Sequence, residues 1–469
     1  MVKTIRHLQL DCPATQLLEC LSGCAGRVTD GGWDSPIPVP MRKPASLLVV
    51  ALLLAAAALP AAAQKVVLTP FHASGIYRTG ESVGWTVALP PGAAAPAGGF
   101  TFQLLQNEMV PLKSGTLDLT HGPATVEATL AEPAMVFLAV TPAGAPKERS
   151  IAGAAVAPDQ LRPSEPRPDD FDAFWASKRQ LLDAVPANPV LTPGESGREG
   201  VEYATFKLDN FNGAHVYGQL AKPARAGKFP ALVIFQWASP PYPLQKPWVT
   251  DRAAEGWLAL DVEPHDVPCD LPPAFYAALP AMLKSYQNIY DADRDRNYFL
   301  QMYLGDCRAL EYLRTRPDWD GKTIVVMGTS MGGQQSLCVA GMDPQVTGLV
   351  VDVPAGCDAD AALHGRWASY PNWNVKNPQV AETARYFDAV NFAPRIKARC
   401  MVAMGFVDEI AAPAGIWTAF NLIPGPKEAV PMVDSPHNNL ATPAQQRPFT
   451  ERSAVWLAAL ARGEVPPPP

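Results

Sequence analysis

The 469-residue chain predicts an α/β fold, a mostly parallel sheet flanked by helices, with a small β-sandwich in front of it. Three observations carry that prediction. A continuous apolar run at residues 230–235 suits a strand buried on both faces, and mainly apolar strand-like runs stand at 257–262, 324–327, 346–351 and 400–404. Helix-patterned stretches alternate with them, which implies right-handed βαβ units. And one of those runs leads straight into Gly328-Thr329-Ser330-Met331-Gly332, a G-x-S-x-G pentapeptide, with Gly333 and a helix-like run at 334–340 behind it.

Composition frames the rest. A hydrophobic content of 48% supports a large core, and the length suffices for two or three domains. A net charge of -7 argues against nucleic acid or an anionic membrane surface as partner. Near the start, Arg42 and Lys43, an apolar run at 47–59 and Ala61-Ala62-Ala63-Gln64 read as a signal peptide over residues 41–63, cleaved after Ala63. The run is shorter than the about 20 residues a spanning helix needs, so no stable membrane insertion is expected after cleavage. Because the basic residues directly follow Met41, that methionine is read as the start and residues 1–40 as an over-extended beginning, an unusually long leader being the alternative. The expected location is secreted or periplasmic. The mature chain keeps Cys269, Cys307, Cys338, Cys357 and Cys400. Oxidising conditions allow one or two disulfides, and the odd number leaves at least one free thiol.

Taken in order, residues 65–155 form an all-β module. Strand-like runs at 82–89, 100–105, 115–119, 124–130 and 134–140 are punctuated by Gly, Pro, Asn and Asp, at the spacing of an immunoglobulin-like sandwich. It is read as a packing or spacer domain, with Tyr77 and Trp85 as core. A Pro-rich strap at 157–169 opens the second domain, 156–462. There a helix over 170–182 places Phe171, Phe174, Trp175, Leu181 and Leu182 on one face. Strands follow at 202–208 and 215–221, and a helix at 299–314 with Leu300, Tyr303, Leu304, Cys307, Leu310 and Leu313 on one face. The last helix spans 448–460, before a Pro-rich tail at 463–469.

The pentapeptide carries the chemistry. A serine hydroxyl must stand clear of the sheet edge, so the chain turns sharply from strand to helix, with glycines where side chains would collide. Ser330 is the candidate nucleophile. It needs a base, and the base an orienting carboxylate, in the chain order Ser, acid, His. His437 is the candidate base, since His364 lies too near the turn. Asp408, directly after the 400–404 run, is the candidate acid; Asp352 and Asp434 are its rivals, and Glu409 is expected to point away. Backbone N–H groups of Met331 and of Trp237 or Ala238 are candidates for an oxyanion hole. Trp237, Tyr242 and Trp248 are candidates for a flat apolar wall against a sugar ring. Glu263-Pro264-His265-Asp266, with Cys269 and Asp270, lacks ligand spacing; no metal is expected, and the segment is read as shaping the entrance.

From Asp169 to His437 the chain resembles carbohydrate esterase family seven, the acetyl xylan esterases and cephalosporin C deacetylases. The segments that carry the resemblance are Arg167-Pro168-Asp169-Asp170-Phe171-Asp172-Ala173-Phe174-Trp175, Gly213-Ala214-His215-Val216-Tyr217-Gly218, Asp352-Val353-Pro354 and, most specifically, Tyr386-Phe387-Asp388-Ala389-Val390-Asn391-Phe392-Ala393. The resemblance implies an α/β-hydrolase fold and removal of acetyl groups from sugar hydroxyls. It also implies Ser330 as nucleophile, Asp408 as acid, His437 as base, and Met331 and Ala238 as oxyanion donors. Three positions depart from the family. Its R-G-Q-G is Glu263-Pro264-His265-Asp266 here, its Gln after the nucleophile is Met331, and its Glu after the histidine is Asn438. The last two leave the chemistry intact, because the oxyanion donor is backbone. The first alters the floor near the site and leaves both the exact ester and the family's ring-shaped hexamer open. The expected protein is an exported serine carboxylesterase acting on acetylated xylan or other sugar esters through an acyl-enzyme, without a cofactor. A serine peptidase of prolyl oligopeptidase type is the alternative, although the β module is short for a propeller. A non-catalytic carbohydrate-binding protein is another.

Overall fold

The computed structural model describes residues 65–237 and 242–469; the expected signal peptide, the Met41 start and Ala238 lie outside them. The chain first forms eight short strands. They are β1 (Val67–Pro70), β2 (Ile76–Tyr77), β3 (Ser82–Ala88), β4 (Phe100–Gln106), β5 (Val110–Leu117), β6 (Ala124–Thr129), β7 (Ala134–Pro142) and β8 (Ser150–Val156). Alternation of inward apolar and outward polar side chains is clearest in β4, where Phe100, Phe102 and Leu104 face in while Thr101 and Gln103 face water. The strands form two sheets, β1-β3-β6 and β2-β8-β7-β4-β5, which share one apolar core. Trp85 and Tyr77 are 1% and 2% exposed within it, so both are core side chains.

β5 departs from the sequence expectation, and β1, β2 and β8 stand where no strand was expected. β5 starts at Val110, before the expected 115, and its first seven residues are exposed. It is an edge strand carrying Pro111, which has no ladder hydrogen bond to donate there. β8 shows no alternation because it is covered on both faces.

The second part begins with α1 (Phe171–Asp183), β9 (Val190–Gly194), β10 (Val201–Asp209), β11 (His215–Pro223), β12 (Phe229–Phe235), α2 (Pro247–Ala254), β13 (Leu258–Val262), α3 (Pro273–Met282) and α4 (Tyr298–Thr315). It continues with β14 (Trp319–Thr329), α5 (Met331–Met342), β15 (Gly348–Asp352), α6 (Pro378–Phe387), α7 (Ala389–Phe392), β16 (Arg399–Gly405), α8 (Pro413–Leu422), β17 (Lys427–Met432) and α9 (Arg447–Ala461). The sheet order is β17-β16-β15-β14-β12-β13-β11-β10-β9. Pairing is parallel from β17 to β13 and antiparallel beyond it. Every residue of β13 and of β15 is buried, as strands between two helical layers require. Phe171, Phe174, Trp175 and Leu182 of α1 are buried, but Leu181 is 49% exposed. One step along a helix turns the side chain by a quarter of a revolution or more, and Leu182 takes the inward direction.

From β12 the chain moves to β13 on one side and then crosses to β14 on the other. Such a reversal opens a crevice at the carboxyl ends of the strands. β14 delivers Ser330 to that end of the sheet.

Candidate active site

Ser330 sits between β14 and α5 at φ 58, ψ -121, a strained conformation for a residue with a side chain. The glycines around it are set by backbone contact. A β-carbon on Gly328 would overlap the Gly332 backbone, and one on Gly332 would overlap the Phe235 carbonyl oxygen. The turn is pinned from three sides: Ser330 N donates to Asp352 O at 3.0 Å, and Ser330 O accepts from Gln334 N and Ala355 N, both at 3.0 Å.

The other two members arrive from the ends of β16 and β17. His437 Nε2 lies 2.9 Å from Ser330 Oγ, and His437 Nδ1 lies 2.7 Å from Asp408 Oδ2. Asp408 Oδ1 accepts from the backbone N–H groups of Ile410 and Ala411, each at 2.8 Å. Asp408 is 0% exposed, His437 4% and Ser330 8%. A carboxylate only accepts, so Nδ1 of the imidazole carries the proton and Nε2 is left to accept from the serine hydroxyl. The Ser330 proton therefore has an acceptor already aligned.

The rival groups lie elsewhere. Asp352 is fully buried behind the turn, and burial first, then the charge of Asp408, pushes its carboxyl up to about 8. Asp434 is exposed. Glu409 points away to an ion pair with Arg149, and His364 pairs with Glu165 at 2.9 Å.

Met331 opens α5, where the first N–H groups have no intrahelical acceptor and the helix end is electropositive. The loop after β12 runs beside it: Gln335 Nε2 donates to both Gln236 O (2.9 Å) and Met331 O (3.2 Å). That places Trp237 next in the chain, whereas Ala238 lies outside the described residues. The three aromatics do not make one flat wall. The Trp237 and Trp248 rings are 4.8 Å apart at 55°, and they line a cleft of about 270 Å³ with Met327 and Thr329. Tyr242 instead stands edge-on to His265 at 6.1 Å and packs against Val267, Tyr276 and Leu279.

Glu263 turns inward, and its Oε2 accepts from the N–H groups of His265 and Val267, both at 2.8 Å. Burial pushes its carboxyl up to about 8 and the His265 imidazole down to about 3. His265 Nδ1 meets Tyr298 Oη at 2.9 Å, and its ring packs on Tyr286 at 4.7 Å. The Tyr286 hydroxyl donates to Met331 Sδ at 2.8 Å and pairs with the Tyr370 hydroxyl. The 263–266 segment thus reaches, through Tyr286, the residue after Ser330. Sequence reasoning missed Tyr286, which opens a three-residue 3-10 turn, and Tyr370, which lies in a loop; neither segment is long enough to show a periodicity. No group of three or more His, Cys, Asp or Glu among the described residues is placed to hold a metal ion. Cys269, Cys307, Cys338, Cys357 and Cys400 are all free thiols, so the one or two disulfides allowed by their number do not form among them.

A mostly parallel sheet with a strained serine at its switch point defines an α/β-hydrolase. Solved structures agree on the fold. An acetyl xylan esterase from Paenibacillus sp. R4 superposes with a TM-score of 0.55 at 23% identity, over 66% of this chain and 98% of that one. Acetyl xylan esterase 1 from Thermoanaerobacterium sp. JW/SL YS485 does so with 0.55 at 20% identity, over 65% and 97%. The acetyl xylan esterase family matches residues 159–239 and 287–452. Acetyl esterase Axe7A of Xylanibacter ruminicola is 30% identical over 377 residues, 77% of this chain and 84% of that protein. The chain belongs to the acetyl xylan esterase family and is a carboxylic ester hydrolase. The interval between the two matched segments, 240–286, holds Glu263-Pro264-His265-Asp266.

Proposed function

We propose that the protein is an exported serine esterase that removes acetyl groups from acetylated xylan or related sugar esters. The observation that carries this reading is the unbroken hydrogen-bond chain Ser330–His437–Asp408 at the mouth of a strained turn. Ser330 Oγ attacks the acetyl carbonyl as His437 Nε2 takes its proton. The oxygen that becomes negative is met by the Met331 N–H and by an N–H from the loop after Gln236. His437 then returns the proton to the departing sugar oxygen, which leaves an acetyl-serine. Water, deprotonated by the same nitrogen, attacks that ester and releases acetate. Asp408, held against Nδ1, orients the ring and stabilises the imidazolium. Export is carried by the signal-peptide pattern at 41–63. A peptidase of prolyl oligopeptidase type would place a propeller where this chain has two packed sheets.

The test is release of acetate from acetylated xylan and cleavage of peptide amides, measured side by side. Acetate release without amide cleavage supports the reading. Cleavage of amides alone overturns it.

A further inference from the structure

The N-terminal β module and the catalytic part lie in one compact unit, residues 65–469, and they meet behind the candidate acid. The outer face of the five-stranded sheet packs on the loop after β16. Phe137 and Ala139 of β7 form a buried cluster with Val407, flanked by Leu105 and Ile151. Gly153 of β8 lies so close that a β-carbon there would overlap the Phe406 carbonyl oxygen, and a β-carbon on Gly75 would press on Val433 and Phe406. The module therefore touches the segments that lead to Asp408 and to His437.

The turn between β4 and β5 adds a second observation. Met109 N donates to Gln106 O at 3.1 Å, and the two central residues are left-handed, Asn107 at φ 51 and Glu108 at φ 60. Such a hairpin turn favours glycine at its second central position. Here that position holds a glutamate, 8% exposed, with Oε2 buried and without a hydrogen-bond partner. The turn is tied to the acid's loop: Asn107 O accepts from Trp367 N at 3.0 Å, and Trp367 Nε1 donates to Glu409 O at 2.9 Å. A strained backbone that keeps a buried acidic side chain marks a functional constraint rather than a turn preference.

We propose that the β module is a working part of the catalytic centre, with Glu108 as a positioning residue that backs the Asp408 loop and keeps water from it. This rests on the assignment of Asp408 as the acid. The groups acting on Glu108 are Asp408, Glu409 and Arg149; burial first, then the two carboxylates, raise its carboxyl well above the ordinary range, against the pull of Arg149. Glu108 is thus a buried polar wedge whose surroundings favour its protonated form. Behind it, Asp408 faces His437 in a dry setting, where their interaction is strong.

The experiment compares Glu108→Gly, Glu108→Gln and Asp408→Asn in the full chain, using p-nitrophenyl acetate hydrolysis and thermal melts. Glu108→Gly is expected to lower kcat by roughly 10- to 100-fold, the cost of displacing a catalytic group by up to about an ångström. KM stays unchanged, and the melting temperature does not fall, because the turn accepts glycine. Glu108→Gln, the neutral isostere, keeps kcat and the pH profile. A Glu108→Gly protein at the wild-type kcat beside an inactive Asp408→Asn protein overturns the role of the turn alone. A Glu108→Gln protein as impaired as the glycine variant also overturns it. Full activity of Asp408→Asn overturns the assignment of the acid, and this proposal with it.

Discussion

Asp408→Asn tests how the imidazole is held, and the structure dictates which way the new amide turns. Asp408 Oδ1 is fixed by two backbone donors, Ile410 N and Ala411 N, each at 2.8 Å. An asparagine would keep its oxygen there and present its NH2 group to His437 Nδ1, which now sits 2.7 Å from the carboxylate. Facing a donor, Nδ1 must become the acceptor, and the ring proton moves to Nε2. That nitrogen lies 2.9 Å from Ser330 Oγ and can then no longer take the hydroxyl proton. The serine loses its base although every heavy atom stays in place. Such a tautomer error costs about 10^4-fold in kcat, which corresponds to about 5.5 kcal/mol of barrier. KM should change little, and the melting temperature should hold, because both backbone donors keep an acceptor. The assay is kcat and KM on p-nitrophenyl acetate, with circular-dichroism melts of both proteins. A variant within tenfold of the wild-type kcat would refute the argument, since the carboxylate would then not set the tautomer.

Two further outcomes follow from the same geometry. Gly332→Ala should destabilise the protein by about 1–3 kcal/mol, despite the roughly 1 kcal/mol that alanine gains in a helix, because its β-carbon meets the Phe235 carbonyl. Urea titration reads that loss, and kcat should fall with it as Met331 is pushed away from the loop after β12. Glu263 makes stability depend on pH. Burial raises its folded-state carboxyl to about 8, above its unfolded value, so its contribution is fully present below about pH 4.5 and is lost as pH rises toward 8. The loss per group is at most about 1.4 kcal/mol per pH unit. Glu263→Gln keeps an acceptor for His265 N and Val267 N and should flatten part of the slope of melting temperature between about pH 5 and about pH 8. The slope is not abolished, because Asp266 and Asp352 are also raised, to about 7 and about 8, by burial above all. An unchanged slope in the variant contradicts this account of Glu263.

The central strands were legible because burial on both faces writes them as apolar runs: residues 257–262 and 400–404 contain β13 and most of β16. The last strand of the sheet was not. β17 reads Lys-Glu-Ala-Val-Pro-Met, because it lies at the edge, where Glu428 reaches Arg452 of α9 at 2.5 Å. Helices α2, α3 and α8 escaped notice for another reason. Each starts with a proline, Pro247, Pro273 and Pro413, a residue that breaks a helix interior and so hides these helix starts. Proline suits the first turn because the N–H it lacks has no partner there. At the site, the chain order of serine, acid and histidine singles out Ser330, Asp408 and His437 as candidates, and the structure brings these three within hydrogen-bond distance. Nothing local marks Tyr286, Tyr370 or Glu108. Tyr286 lies 45 residues from Met331 in the chain, and only folding makes it a neighbour. Glu108 reads as an ordinary polar turn residue until β4 and β5 carry it to the loop after β16.

The most direct test is to quench the protein during turnover of p-nitrophenyl acetate, digest it and map the acetyl group by mass spectrometry, with Ser330→Ala alongside. The account predicts acetyl on the peptide that contains Ser330, and no turnover by the alanine variant. Turnover that survives Ser330→Ala, or an acetyl group carried by a different residue, would contradict it.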